Sequence, residues 1–171
     1  MNPSVVDRLA SGWQRYGPGR LPWAESRAVG GGYAMATAAL LACLAFGVPS
    51  LAAVALGVDG LSTTFLVFLP VALPLVVLTA FLAGALVWWR LPDHASGLLA
   101  GLLATSLTYL FSTVLLVPLF LFATYGEWYF SVPGAVATAA LFAFTAVLLT
   151  GWLTLPLGCL VGYLHERTRE E

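Results

Sequence analysis

Residues 96–105 read SGLLAGLLAT and residues 154–162 read TLPLGCLVG, and these two short stretches decide the fold. In the first, Gly97, Gly101 and Thr105 recur every four residues; in the second, Thr154, Gly158 and Gly162 do the same. Four-residue spacing puts each set on one face of an α-helix. With a rise of about 1.5 Å per residue, two antiparallel helices starting from a common surface bring Gly97 to the depth of Gly162, Gly101 to that of Gly158, and Thr105 to that of Thr154. Facing rows of small residues let helix backbones approach closely in lipid. The spacing therefore predicts a helix-packing seam closing the last hairpin of a membrane domain.

Composition sets the surroundings of that seam. Of 171 residues, 60% are hydrophobic and 9% charged, with a mean hydropathy of +0.93, against about 25% charged in a soluble domain. Between Tyr33 and Trp89 the only charge is Asp59, in the turn Val58-Asp59-Gly60. A bilayer core takes about 20 apolar residues per helix, so this block divides into two spans. Trp88-Trp89-Arg90 stops the second span, and the loop 124–131, carrying Glu127, separates the third from the fourth. The sequence thus predicts an all-α, integral membrane four-helix bundle with spans at 33–57, 62–89, 96–123 and 133–163, together forming a domain over 30–164.

The arginines test the number of spans. Arg8, Arg15, Arg20 and Arg27 precede the first span, Arg90 lies between the second and third, and Arg167 and Arg169 follow the fourth. With four spans all of them fall on one side, opposite Asp59 and Glu127; three or five spans would scatter them. The positive-inside bias makes that side cytoplasmic, which predicts a cell-membrane protein with both termini inside and 165–171 as a cytoplasmic tail. Arg27, Arg90 and Arg167 are expected against anionic lipid headgroups.

Residues 1–29 form the predicted cytoplasmic N-terminal segment. Val5, Leu9 and Trp13 repeat at helical spacing after Asn2-Pro3, which reads as a short interfacial amphipathic helix. The apolar run from Tyr33 to Val58 exceeds the roughly 7 to 15 residues of a cleaved signal. Gly30-Gly31-Gly32 is expected as a flexible elbow into the first span. The pairs Pro49/Asp59 and Pro118/Glu127 recur at similar offsets in the two hairpins, as in a parallel duplication, but the second and fourth spans align poorly.

Chemistry-bearing motifs are sparse. No ionisable residue is expected at membrane depth, which argues against an ion-coupled pump and leaves a hydrolase without its acid or base. Cys43 and Cys159 lie far apart in apolar runs and read as core residues. His94, His165, Asp93 and Glu166 gather at one surface without metal-ligand spacing, so no metal or cofactor is expected. Scattered arginines make no nucleic-acid surface.

Two features invite a binding role. Thr105, Tyr109 and Ser112 form a possible polar lining within the third span, although interhelical or i−4 carbonyl bonds are the plainer use of such hydroxyls. Pro49, Pro70, Pro74 and Pro118 fall in the outer halves of their helices, which predicts a shallow external cavity above an inner half held shut by the glycines. The leading functional expectation is a non-enzymatic accessory, scaffold or assembly subunit, meeting lipid and either a second copy or a larger membrane partner. Its alternative is a small oligomeric facilitator or channel for a neutral solute.

Overall fold

Ser26 opens the first helix in the way its residue type favours. In the computed structural model, which describes residues 12, 21–57, 60–92, 96–123, 125 and 131–170, the Ser26 backbone is extended and its Oγ accepts from the Val29 N–H at 3.3 Å, satisfying one of the donors a helix start leaves open. Helix α1 then runs Arg27–Ala55. Gly57, at φ +76°, lets the chain leave it, since this left-handed conformation is unfavourable for residues with a Cβ.

Helix α2 spans Leu61–Arg90 and ends where Pro92 forces Leu91 into extended backbone. Helix α3 spans Gly97–Ala123. Helix α4, Val132–Glu170, starts behind Ser131, whose Oγ accepts from the Gly134 N–H at 3.1 Å, and tolerates Pro133 because first-turn amides have no helical partner.

All four helices are long and apolar enough to cross a membrane, and no strand occurs among the described residues. The four-helix multi-pass bundle expected from hydropathy is therefore the observed fold. The N-terminal amphipathic segment, apart from Gly12, and the Asp59 and Glu127 turns lie outside the described residues.

Around the bundle, α1 packs along α2 and α3 along α4 most extensively, while α2–α3 and α1–α4 contacts complete the ring. Glycine sets the closest approaches. A Cβ on Gly97 would fall 2.6 Å from the Gly162 carbonyl oxygen, and one on Gly101 would run into the Gly158 carbonyl. Conversely, a Cβ on Gly158 would meet the Thr105 hydroxyl, and one on Gly162 the Gly97 carbonyl.

The first hairpin contains a second seam, and it corrects the reading of Gly30-Gly31-Gly32. These residues are not an elbow: α1 begins at Arg27, and all three glycines are helical and buried. A Cβ on Gly31 would lie 2.5 Å from the Trp88 indole, one on Gly32 2.9 Å from the Phe81 ring, and one on Gly84 2.6 Å from the Gly31 carbonyl oxygen. The triplet clears space for two aromatic side chains and a facing backbone.

Candidate functional site

At one end of the bundle, where α1 and α3 begin and α2 and α4 finish, a polar knot ties three helices together. The Arg27 guanidinium donates to the carbonyls of Leu91 at 2.8 Å and Pro92 at 3.1 Å, and pairs with Glu166 Oε1 at 3.0 Å. Its first two bonds satisfy carbonyls that the end of α2 leaves open. Glu166 Oε2 accepts from the Trp88 indole N–H at 3.0 Å, and His165 stands edge-on to the same indole with ring centroids 5.4 Å apart. With the Arg27 and Glu166 side chains only 14% and 16% exposed, this pair is better protected from water than a surface salt bridge.

The Arg27 guanidinium, expected against lipid headgroups, is engaged within the bundle by two carbonyls and a carboxylate that the closing of the hairpins presents to it. Arg90 lies exposed at this end, its guanidinium 4.8 Å from the Trp89 ring centre, and Arg167 donates to the Tyr163 hydroxyl at 3.3 Å. Of the four residues considered together at this surface, Asp93 and His94 lie outside the described residues, and Glu166 is engaged by Arg27 and Trp88.

Deeper in the bundle, hydroxyls join the helices in pairs. Ser112 of α3 meets Thr79 of α2 at 2.9 Å, and the Tyr109 hydroxyl of α3 meets both Thr150 and Thr154 of α4 at 2.7 Å. Thr105 instead turns back on its own helix and donates to the Gly101 carbonyl at 2.8 Å. Drawn back toward the Gly101 carbonyl, the Thr105 hydroxyl lies against Gly158, while Thr154 meets the Tyr109 hydroxyl.

Beyond the level of Gly158 the four helices line a partly open cavity of about 320 Å³. Thr105 and Gly158 line it where the α3–α4 seam stops; Phe120 and Phe142, with ring centroids 5.2 Å apart, line it farther out. Tyr109 and Ser112 are on its wall, as are Thr108, Thr113, Thr150 and Thr154, while Met35, Cys43, Phe46, Leu75 and Leu116 are among its apolar lining. Among the described residues, no charged side chain lines it. The cavity occupies the half of the bundle that carries Pro49, Pro70, Pro74 and Pro118.

Sequence reasoning missed Trp88, Thr79 and the structural use of Glu166. A signal was present for two of them. The row Thr154, Gly158, Gly162 continues at the same spacing to Glu166, and Ala80, Gly84, Trp88 make a matching row on α2. Thr79 carried no such signal, being a lone hydroxyl in an apolar run.

Comparison with known proteins adds no relative: no family model, curated protein or solved structure matches this chain.

Proposed function

We propose that this chain is a cell-membrane protein crossing the bilayer four times, with both termini cytoplasmic and a short interfacial helix within residues 1–29, and that it acts as a non-enzymatic accessory or assembly subunit. The orientation rests on Arg27, Arg90 and Arg167 occupying the same end of the bundle. A reporter fused to either terminus is expected inside the cell; activity outside overturns this orientation.

The observation that carries the accessory reading is the use made of the hydroxyls. Tyr109 and Ser112, which a solute path would need, are bonded across to α4 and α2. At the arginine-rich end, two glycine seams and the Arg27–Glu166–Trp88 knot bring the helices into close contact. Such a bundle suits a rigid apolar body that packs against a second copy or a larger membrane protein. Cross-linking in intact membranes is expected to trap a species larger than the 18.1 kDa chain; recovery of the monomer alone, across cross-linkers of several lengths, overturns the reading.

One observation favours the alternative of a neutral-solute facilitator: Thr105, Tyr109 and Ser112 all line the cavity. Liposomes containing the protein decide between the two. Glycerol flux equal to that of empty liposomes fits the accessory reading, and a protein-dependent increase favours the facilitator.

A further inference from the structure

The cavity has a directional chemistry that follows from counting protons. Each hydroxyl has one proton to donate and two lone pairs. Thr105, Thr108, Thr113 and Thr150 give theirs to the carbonyls of Gly101, Ala104, Tyr109 and Ala146, at 2.7 to 2.8 Å. With the Thr150 proton on the Ala146 carbonyl, the assignment that uses every proton has Tyr109 donating in its 2.7 Å contact with Thr150. Tyr109 has then used its proton, so the 2.7 Å contact with Thr154 is one that Thr154 donates. The outcome is a directed chain from Thr154 to Tyr109 to Thr150 to the Ala146 carbonyl.

The same count holds across α2 and α3. The Thr79 hydroxyl lies 2.9 and 3.0 Å from the carbonyls of Leu75 and Val76, so the assignment that uses both protons makes Ser112 the donor in their 2.9 Å contact. Among the described lining residues, every hydroxyl then has its proton in use while retaining lone pairs. The thiol of Cys43 is the remaining side-chain donor among them, and a weak one.

We propose that the cavity is a binding site for a lipid-soluble alcohol: an apolar chain or ring body drawn from the bilayer, whose hydroxyl donates to the Tyr109–Thr150–Thr154 cluster. The apolar lining selects the body, and a described lining made only of apolar and uncharged polar side chains favours a neutral ligand. The space is sufficient, at about twice the roughly 150 Å³ of an aliphatic cavity that admits benzene. A ketone, ester or ether brings only acceptors and finds acceptors facing it. This inference is independent of the accessory reading, which concerns the outer surface.

The test uses the full chain in phosphatidylcholine nanodiscs, with radiolabelled 1-dodecanol partitioned between protein-containing and empty discs. Saturable binding is expected, displaced by unlabelled 1-dodecanol about tenfold better than by its methyl ether, the worth of one favourable hydrogen bond. Glycerol is expected not to compete. Ala146→Leu, one turn from Thr150 on the cavity wall, is expected to abolish saturable binding, and Ala143→Leu serves as the second filling variant if the first fails to fold. Binding no greater than in empty discs, equal competition by the ether, or displacement by glycerol overturns the proposal. So does unchanged binding in a folded filling variant.

Discussion

The two halves of this bundle are built from much the same residues and behave as opposites. Toward the arginine-rich end, glycines bring backbones together until a single added carbon would collide, and one carboxylate fastens α4 to both α1 and α2. Toward the other end, four prolines interrupt helical bonding and the helices line a partly open cavity of about 320 Å³. The contrast teaches that in lipid, where all faces can be apolar, side-chain size and backbone bonding decide where a bundle shuts. Hydrophobicity itself is nearly uniform and decides little.

The contrast breaks most easily at its tightest point. Gly101→Leu drives a branched side chain into the Gly158 carbonyl, which belongs to backbone and has little freedom to shift. The expected loss exceeds about 3 kcal/mol, enough to leave the chain aggregated or unfolded in mild detergent. Size-exclusion profiles and SDS titration measure it. Wild-type behaviour of this variant would mean that the α3–α4 seam does not hold the closed half together.

Next in size is the knot. Glu166→Ala strips two partners at once, leaving the Arg27 charge and the Trp88 N–H without their acceptor. A loss of about 2 kcal/mol is expected, below the roughly 3 to 5 kcal/mol of a fully buried broken pair because this one retains some contact with the surface. Combining Glu166→Ala with Arg27→Met should cost less than the sum of the two single changes. Strict additivity would show that the ion pair contributes no coupling.

The halves were unequally legible in the sequence. Gly97, Gly101, Gly158 and Gly162 announce their seam because glycine at four-residue spacing has few other uses in an apolar helix. The Gly30-Gly31-Gly32 run was misread because a missing side chain signals flexibility and close packing alike; only Trp88 and Phe81, about fifty residues farther along the chain, distinguish the two. Arg27 shows the same difficulty. An interfacial arginine suits headgroups equally well, and its real acceptor, Glu166, lies across the whole domain. Prolines pointed to the open half, but the cavity's shape depends on side chains from all four helices, which no local pattern encodes.

Smaller effects sharpen the comparison within the open half. Tyr109→Phe removes the two bonds to Thr150 and Thr154 while keeping the ring in place. Interhelical hydrogen bonds in membranes are worth about 0.6 kcal/mol on average, so a loss of about 1 kcal/mol is expected in the same SDS titration. A loss as large as that of Glu166→Ala would place the bundle's principal polar fastening in the cavity half instead of at the arginine-rich end.

The smallest expected effect has the opposite sign, which makes it the sharpest comparison. Gly47 faces the neighbouring helix as Gly101 does, yet a Cβ there would sit 3.4 Å from Leu69 Cδ2, an ordinary contact with the movable end of a side chain. Gly47→Ala therefore adds packing and removes the backbone freedom of an interior helical glycine, which disfavours folding by about 0.5 to 1 kcal/mol relative to alanine. A gain of about 0.5 kcal/mol is expected for Gly47→Ala and a marked loss for Gly101→Ala, both read by SDS titration. The two substitutions add the same methyl to the same residue type, so opposite signs would isolate the distance between helices as the cause. Equal losses would mean that Gly47 belongs to a seam as tight as the one at Gly101, and that the closed half extends farther along α1 than the cavity implies.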